Sequence, residues 1–193
     1  MTTDHHAKPE KFFGETAIAT PANAITVGRL VLTPVFIWML VNHGIVGWGQ
    51  SAIGAAVAFS DGIDGIVARR MGSTRSGAFL DPLIDKVVIL ACMITMVCLG
   101  TMWWFPVAII AARELWMSWY RTVASKKGIS IPARQTAKIK TLVQDFAIAF
   151  IVLPPTGNLV WLHVATLWAA VGLTVWTGWE YYRDGRAIEA AQT

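Results

Sequence analysis

The run Phe59-Ser60-Asp61-Gly62-Ile63-Asp64-Gly65-Ile66-Val67-Ala68-Arg69 is followed by Gly77-Ala78-Phe79-Leu80-Asp81-Pro82-Leu83-Ile84-Asp85-Lys86. Four carboxylates thus interrupt two stretches that are otherwise apolar enough to cross a membrane. At the centre of a membrane helix each Asp costs roughly 2.5–3.5 kcal/mol, and four left unpaired would cost on the order of 10 kcal/mol. Something must offset that cost. At helical spacing Asp61 and Asp64 share a face, with Arg69 following about two turns along it, and Asp81 and Asp85 share a face of the next helix. If the two helices are antiparallel neighbours joined by a short turn, their polar stripes face each other. Converging carboxylates repel unless protonated or bound to cations, and all-oxygen sites suit hard ions such as Mg²⁺, Mn²⁺ or Ca²⁺. Two bridged divalent ions would neutralise four carboxylates, a recurring device in phosphoryl chemistry. Gly62, Gly65, Ala68, Gly77 and Ala78 keep these faces free of bulk, so a ligand can approach the backbone. Small residues also let membrane helices pack closely, but that alone leaves the acids unexplained.

The rest of the chain fits a membrane setting. Of 193 residues, 55% are hydrophobic and 15% charged, and the mean hydropathy is +0.52. Soluble domains carry about 25% charged residues, so a soluble globular domain, a disordered chain and a disulfide scaffold are all excluded. Apolar runs lie at about 24–42, 48–68, 77–101, 103–124, 139–154 and 159–182, separated by turn-forming residues such as Asn42-His43-Gly44 and Pro154-Pro155-Thr156-Gly157. A span needs about 20 apolar residues. The expectation is an all-α, integral membrane bundle of six transmembrane helices. Residues 1–20 form an N-terminal segment, 21–186 the membrane domain and 187–193 a tail.

Basic residues set the orientation. The turns at 42–49, 100–102 and 154–159 hold no Lys or Arg, whereas Arg69, Arg70 and Arg75, then Lys126, Lys127, Arg134, Lys138 and Lys140, then Arg183 and Arg186 cluster at the other ends. By the positive-inside rule both termini are cytoplasmic. The net charge of +4 is therefore topological and calls for no nucleic acid. Residues 1–20 carry Asp4, Glu10 and Glu15 with no apolar core, unlike a signal peptide. Trp48, Trp103, Trp104 and Trp161 at one end, and Trp116, Trp119, Tyr120, Trp179, Tyr181 and Tyr182 towards the other, read as interfacial belts. Cys92 and Cys98 are expected to be small buried residues. His5, His6, His43 and His163 lie away from the acids and are not expected to bind metal.

The acidic pattern closely resembles the signature of the CDP-alcohol phosphatidyltransferases, Asp-x2-Asp-Gly-x2-Ala-Arg, a spacer, and Gly-x3-Asp-x3-Asp. Asp61, Asp64, Gly65, Ala68, Arg69, Gly77, Asp81 and Asp85 fill its eight fixed positions. The spacer, Arg70 to Ser76, is seven residues where eight or nine is usual. Pro21-Ala22-Asn23-Ala24-Ile25-Thr26-x2-Arg29 is similar to the start of the family's first span. Arg113-Glu114, Gly128-Ile129 and Ala137-Lys138-Ile139-Lys140-Thr141-x2-Gln144 are similar to the branch that uses glycerol 3-phosphate, although that branch more often has Gly at the position of Ala137.

The resemblance implies a cytosol-facing site in the cell membrane and a homodimer. Two Mg²⁺ or Mn²⁺ ions would be held by Asp61, Asp64, Asp81 and Asp85, with Asp85 as the general base. Asn23, Thr26, Asp61, Gly65, Ala68, Arg69, Thr74 and Gly77 would bind CDP-diacylglycerol, whose tails stay among the membrane lipids. The reaction implied displaces CMP by an alcohol. For an acceptor bearing a phosphate, Arg113, Lys138 and Lys140, with Arg121 and Arg183 near, are the candidate cations. Arg113 lies deep in its span, and Glu114 is not expected to share its helix face. A cardiolipin synthase of the same family, taking phosphatidylglycerol, is the nearest alternative. A divalent-cation transporter is a further one, but it would need polar residues continuing to the outer side.

Overall fold

The computed structural model describes the backbone of residues 21–71, 75–126 and 135–192, with side chains over 24–60 except 26, 84–124, 136 and 138–187. Six helices account for nearly all of it: α1 Pro21–Asn42, α2 Trp48–Met71, α3 Arg75–Cys98, α4 Trp104–Lys126, α5 Gln135–Val152 and α6 Val160–Gln192. Among the described residues there is no strand. The breaks coincide with the turn-forming residues of the sequence. Gly44 and Gly100 adopt φ of 89° and 73°, a left-handed conformation that glycine enters without a Cβ clash. Thr101 N–H donates to the Met96 carbonyl at 3.0 Å and closes the end of α3.

Helix α3 is central and packs on α1, α4 and α5, while α1 also packs on α2 and α6 lies against α4 and α5. The interior is filled by Phe36, Met93, Met96, Ile110, Ile151 and Ala170, each buried and drawn from five different helices. The outside is apolar too. Val31, Trp38, Phe59, Leu115, Trp119 and Trp161 are all exposed. Water-facing monomers rarely display so much apolar surface; this is the exterior of a membrane protein. Among the described residues, α6 over Val160–Ala187 is the helix long and apolar enough to cross a membrane by composition alone, and Val27–Asn42 is a shorter apolar helix. Internal charges such as Arg113 and Glu114 in α4 or Lys138, Lys140 and Asp145 in α5 interrupt the apolar character of the others.

Hydroxyls inside the helices are satisfied locally. Thr33 donates to the Arg29 carbonyl at 2.8 Å, Thr95 to Ala91 at 2.8 Å, and Ser118 to Glu114 at 2.9 Å, the back-bonding expected of Ser and Thr in membrane helices. Cys92 is buried as expected, whereas Cys98, at the end of α3 where packing thins, is exposed.

Candidate functional site

Asp61, Asp64, Gly65, Ala68 and Arg69 lie on the last turns of α2, and Gly77, Asp81 and Asp85 on the first turns of α3. Thr74 lies outside the described residues, as do the side chains of Asn23, Thr26, Asp61, Asp64, Ala68, Arg69 and Asp81. Asp85 is the acid of the signature whose carboxylate is described. Arg29 of α1 donates through Nη1 to its Oδ1 at 3.4 Å, with Arg29 2% and Asp85 23% exposed. Asp85 therefore faces the bundle. An all-oxygen carboxylate set on two helices fits a hard divalent cation. The sequence had placed Arg29 at the start of the first span without its reach to α3.

Beside Asp85 lies a second polar group, centred on Glu114, which is 3% exposed. Lys140 of α5 donates through Nζ to Glu114 Oε1. Arg113 Nη1 donates to the same oxygen at 2.9 Å. Lys86 of α3 lies 3.6 Å from Oε2 and donates to Ser118 Oγ at 2.7 Å. The expectation that Glu114 does not share the face of Arg113 is thus corrected: neighbouring Cβ atoms diverge on a helix, but four rotatable bonds let the guanidinium fold back to its neighbour.

Arg113 also spans to α6. Its Nη2 donates to Thr177 Oγ1 at 2.9 Å, and a Cβ on Gly178 would sit 3.0 Å from its Nε. Gly178 leaves the space that the guanidinium stem crosses. Nearby, Gln144 Nε2 donates to Thr174 Oγ1 at 3.1 Å, both buried.

Asp85, Lys86, Glu114, Lys140 and Gln144 together line a cavity of about 10 Å³, room for one water molecule. It joins the signature acid to the cation cluster. On the α2–α5 side, an apolar groove of about 250 Å³ runs past Ser51, Gly54, Ala58, Phe59, Phe146 and Leu153. Its α2 wall ends two residues before Asp61.

Of the five cations expected to read an acceptor phosphate, Arg113 and Lys140 come together on Glu114. Lys138 is exposed on the first turn of α5. Arg121 is exposed and lies over the Tyr181 ring, 5.7 Å from its centre, and Arg183 is exposed on α6. Sequence reasoning missed Lys86 and Glu114 as partners. Their signal was present in plain form, since a Lys beside the last signature acid and a Glu deep in a span both require a counter-charge.

A profile of the family described as CDP-alcohol phosphatidyltransferase matches residues 19–176. A probable phosphatidylglycerophosphate synthase of Mycobacterium tuberculosis is 38% identical over 185 residues, covering 91% of this chain and 87% of that one. A CDP-diacylglycerol–glycerol-3-phosphate 3-phosphatidyltransferase of Escherichia coli is 33% identical over 171 residues, 84% of this chain and 93% of its own. A protein of the same name from Shigella flexneri matches to the same extent.

Proposed function

Because the chain belongs to the CDP-alcohol phosphatidyltransferase family, we propose that it transfers the phosphatidyl group of CDP-diacylglycerol to glycerol 3-phosphate, giving phosphatidylglycerophosphate and CMP. The observation that carries this is the match across 91% of the chain to a probable phosphatidylglycerophosphate synthase. The eight filled signature positions, Asp61 to Asp85, support the chemistry.

The six helices serve as six spans. The shortest, α5, has 18 residues, about 27 Å at 1.5 Å per residue against a hydrocarbon core of about 30 Å. With Lys and Arg confined to one side, both termini and the active site face the cytoplasm. The membrane domain covers 21–186, and two copies form a homodimer.

Asp61, Asp64, Asp81 and Asp85 would hold two Mg²⁺ or Mn²⁺ ions, which when bound supply charge neutralisation at the diphosphate. Asn23, Thr26, Gly65, Ala68, Arg69, Thr74 and Gly77 contact the CDP moiety, and the groove beside Phe59 gives an acyl chain a path along α2 and α5. Asp85 accepts the proton of the acceptor hydroxyl. The hydroxyl oxygen forms a bond to the phosphatidyl phosphorus, the diphosphate P–O bond breaks, and CMP leaves with the electron pair. Arg29 keeps the Asp85 carboxylate turned into the bundle. Lys140, Arg113 and Lys138, with Arg121 and Arg183 further out, attract the phosphate of the acceptor.

The test is an acceptor screen: purified protein, CDP-diacylglycerol, Mg²⁺ or Mn²⁺, and each candidate alcohol, with CMP release measured. Glycerol 3-phosphate is expected to give the highest kcat/KM. Preference for phosphatidylglycerol would make the protein a cardiolipin-forming relative, and metal uptake into vesicles without CMP release would make it a transporter.

A further inference from the structure

We propose that Glu114 is a positioning residue for the acceptor: it gathers Lys86, Arg113 and Lys140 into a preformed phosphate site beside Asp85. The inference rests on the reading above that a phosphate-bearing acceptor is used.

Three cations meet one carboxylate. Lys86 comes from α3, Arg113 from α4 and Lys140 from α5, and all three lie within 3.6 Å of a Glu114 oxygen. Among the described residues the surplus is +2, three positive charges less one negative. Arg29 and Asp85 next to it add one charge of each sign and leave the surplus as it is. A structural ion pair would balance its charges, because an unmatched charge away from water is expensive. A surplus of this size fits a dianionic phosphate monoester.

The place fits as well. Lys86, Glu114 and Lys140 share the small cavity with Asp85. A phosphate oxygen taking the place of the one water for which this cavity has room would meet the two lysines, with the acceptor hydroxyl towards the base. The three cations differ in how they are held. Arg113 is tied down by Thr177 and by its course across Gly178. Lys86 has Ser118 and Glu114, and Lys140 has Glu114. A lysine side chain loses rotamer entropy when it is fixed, and cations fixed in advance spare the acceptor much of that ordering cost. The carboxylate gives up some electrostatic attraction for phosphate in exchange for placement.

The experiment is two-substrate kinetics of CMP release on wild type, Glu114→Asp and Glu114→Gln in lipid nanodiscs, with Tm measured alongside. Glu114→Asp keeps the charge and shortens the arm, and is expected to raise the glycerol 3-phosphate KM about fivefold. Glu114→Gln is expected to raise it about tenfold or more, because the hydrogen bond from Lys140 loses its charged acceptor and the ion pair with Lys86 is lost. The CDP-diacylglycerol KM stays within about twofold in both, because that substrate is held elsewhere. A purely structural carboxylate would lower Tm and activity while leaving both KM values unmoved, which overturns the proposal. A lower acceptor KM in Glu114→Gln also overturns it, since Glu114 would then be a competitor of the phosphate. If Glu114→Gln does not fold, Glu114→Asp decides by the same criterion. Wild-type turnover of phosphatidylglycerol but not glycerol 3-phosphate overturns the acceptor assignment alone, and the KM for phosphatidylglycerol in the two variants then decides the role of Glu114.

Discussion

Helix α3 passes through two different interiors. From Ile89 to Met96 it packs Ile89, Cys92, Met93 and Met96 into an apolar cluster with Phe36, Ile110 and Ile151. One turn earlier, at Asp85 and Lys86, it meets Arg29, Glu114 and Lys140. Apolar packing tolerates exchange between side chains of similar volume. A charged layer does not, because each group needs a particular partner at a particular distance. Stability and chemistry are thus assigned to separate layers of one helix.

The largest effect separating the layers is expected from Asp85→Asn. It removes the base while preserving shape, so turnover falls about a thousandfold, within the range of general-base catalysis, while CDP-diacylglycerol still binds. Near-normal CMP release from this variant excludes Asp85 as the base. Lys140→Ala comes next. Glu114 keeps Arg113 and Lys86, so folding survives, and the acceptor kcat/KM drops roughly tenfold to a hundredfold for a loss of about 1.5–3 kcal/mol. Unchanged kinetics with glycerol 3-phosphate would place the acceptor elsewhere. In the apolar layer, Met96→Ala inverts the pattern. Lipid leaves only the packing part of the usual cavity penalty, so stability falls by about 1–2 kcal/mol with both KM values unmoved. A change in acceptor KM there would show that the two layers are coupled. Gly178→Ala is the mildest. Its methyl would press on Arg113 at 3.0 Å, and a shift of a few tenths of an ångström is expected to lower Tm slightly and leave kcat/KM within about twofold.

The helix ends were legible because turn chemistry marks them: the runs ending at 42 and beginning at 48 reappear as the end of α1 and the start of α2. Helix α6 extends beyond the apolar run at 159–182. Its last turns carry Arg183, Asp184 and Arg186 and resemble a tail, but Arg186-Ala187-Ile188-Glu189-Ala190-Ala191-Gln192 consists largely of good helix formers, and the helix continues to Gln192. The acids at 61, 64, 81 and 85 could be singled out because four charges in apolar runs have no bland explanation. Glu114 escaped for two reasons. The rule that adjacent residues face apart concerns Cβ directions and not the reach of an arginine. Its other partners, Lys86 and Lys140, lie on different helices, and no period in the sequence connects them. The same holds for Gly178, whose value depends on Arg113 crossing it from α4.

The Arg113–Glu114 contact has a consequence for how α4 balances its charge. Lys86 and Lys140 can reach Glu114 only after α3, α4 and α5 have met. Arg113 is its covalent neighbour and reaches it within α4 alone. Helix α4 therefore carries its own counter-ion, a neutral pair that needs no neighbouring helix. That private neutrality becomes a shared one where α5 delivers Lys140 and α3 delivers Lys86.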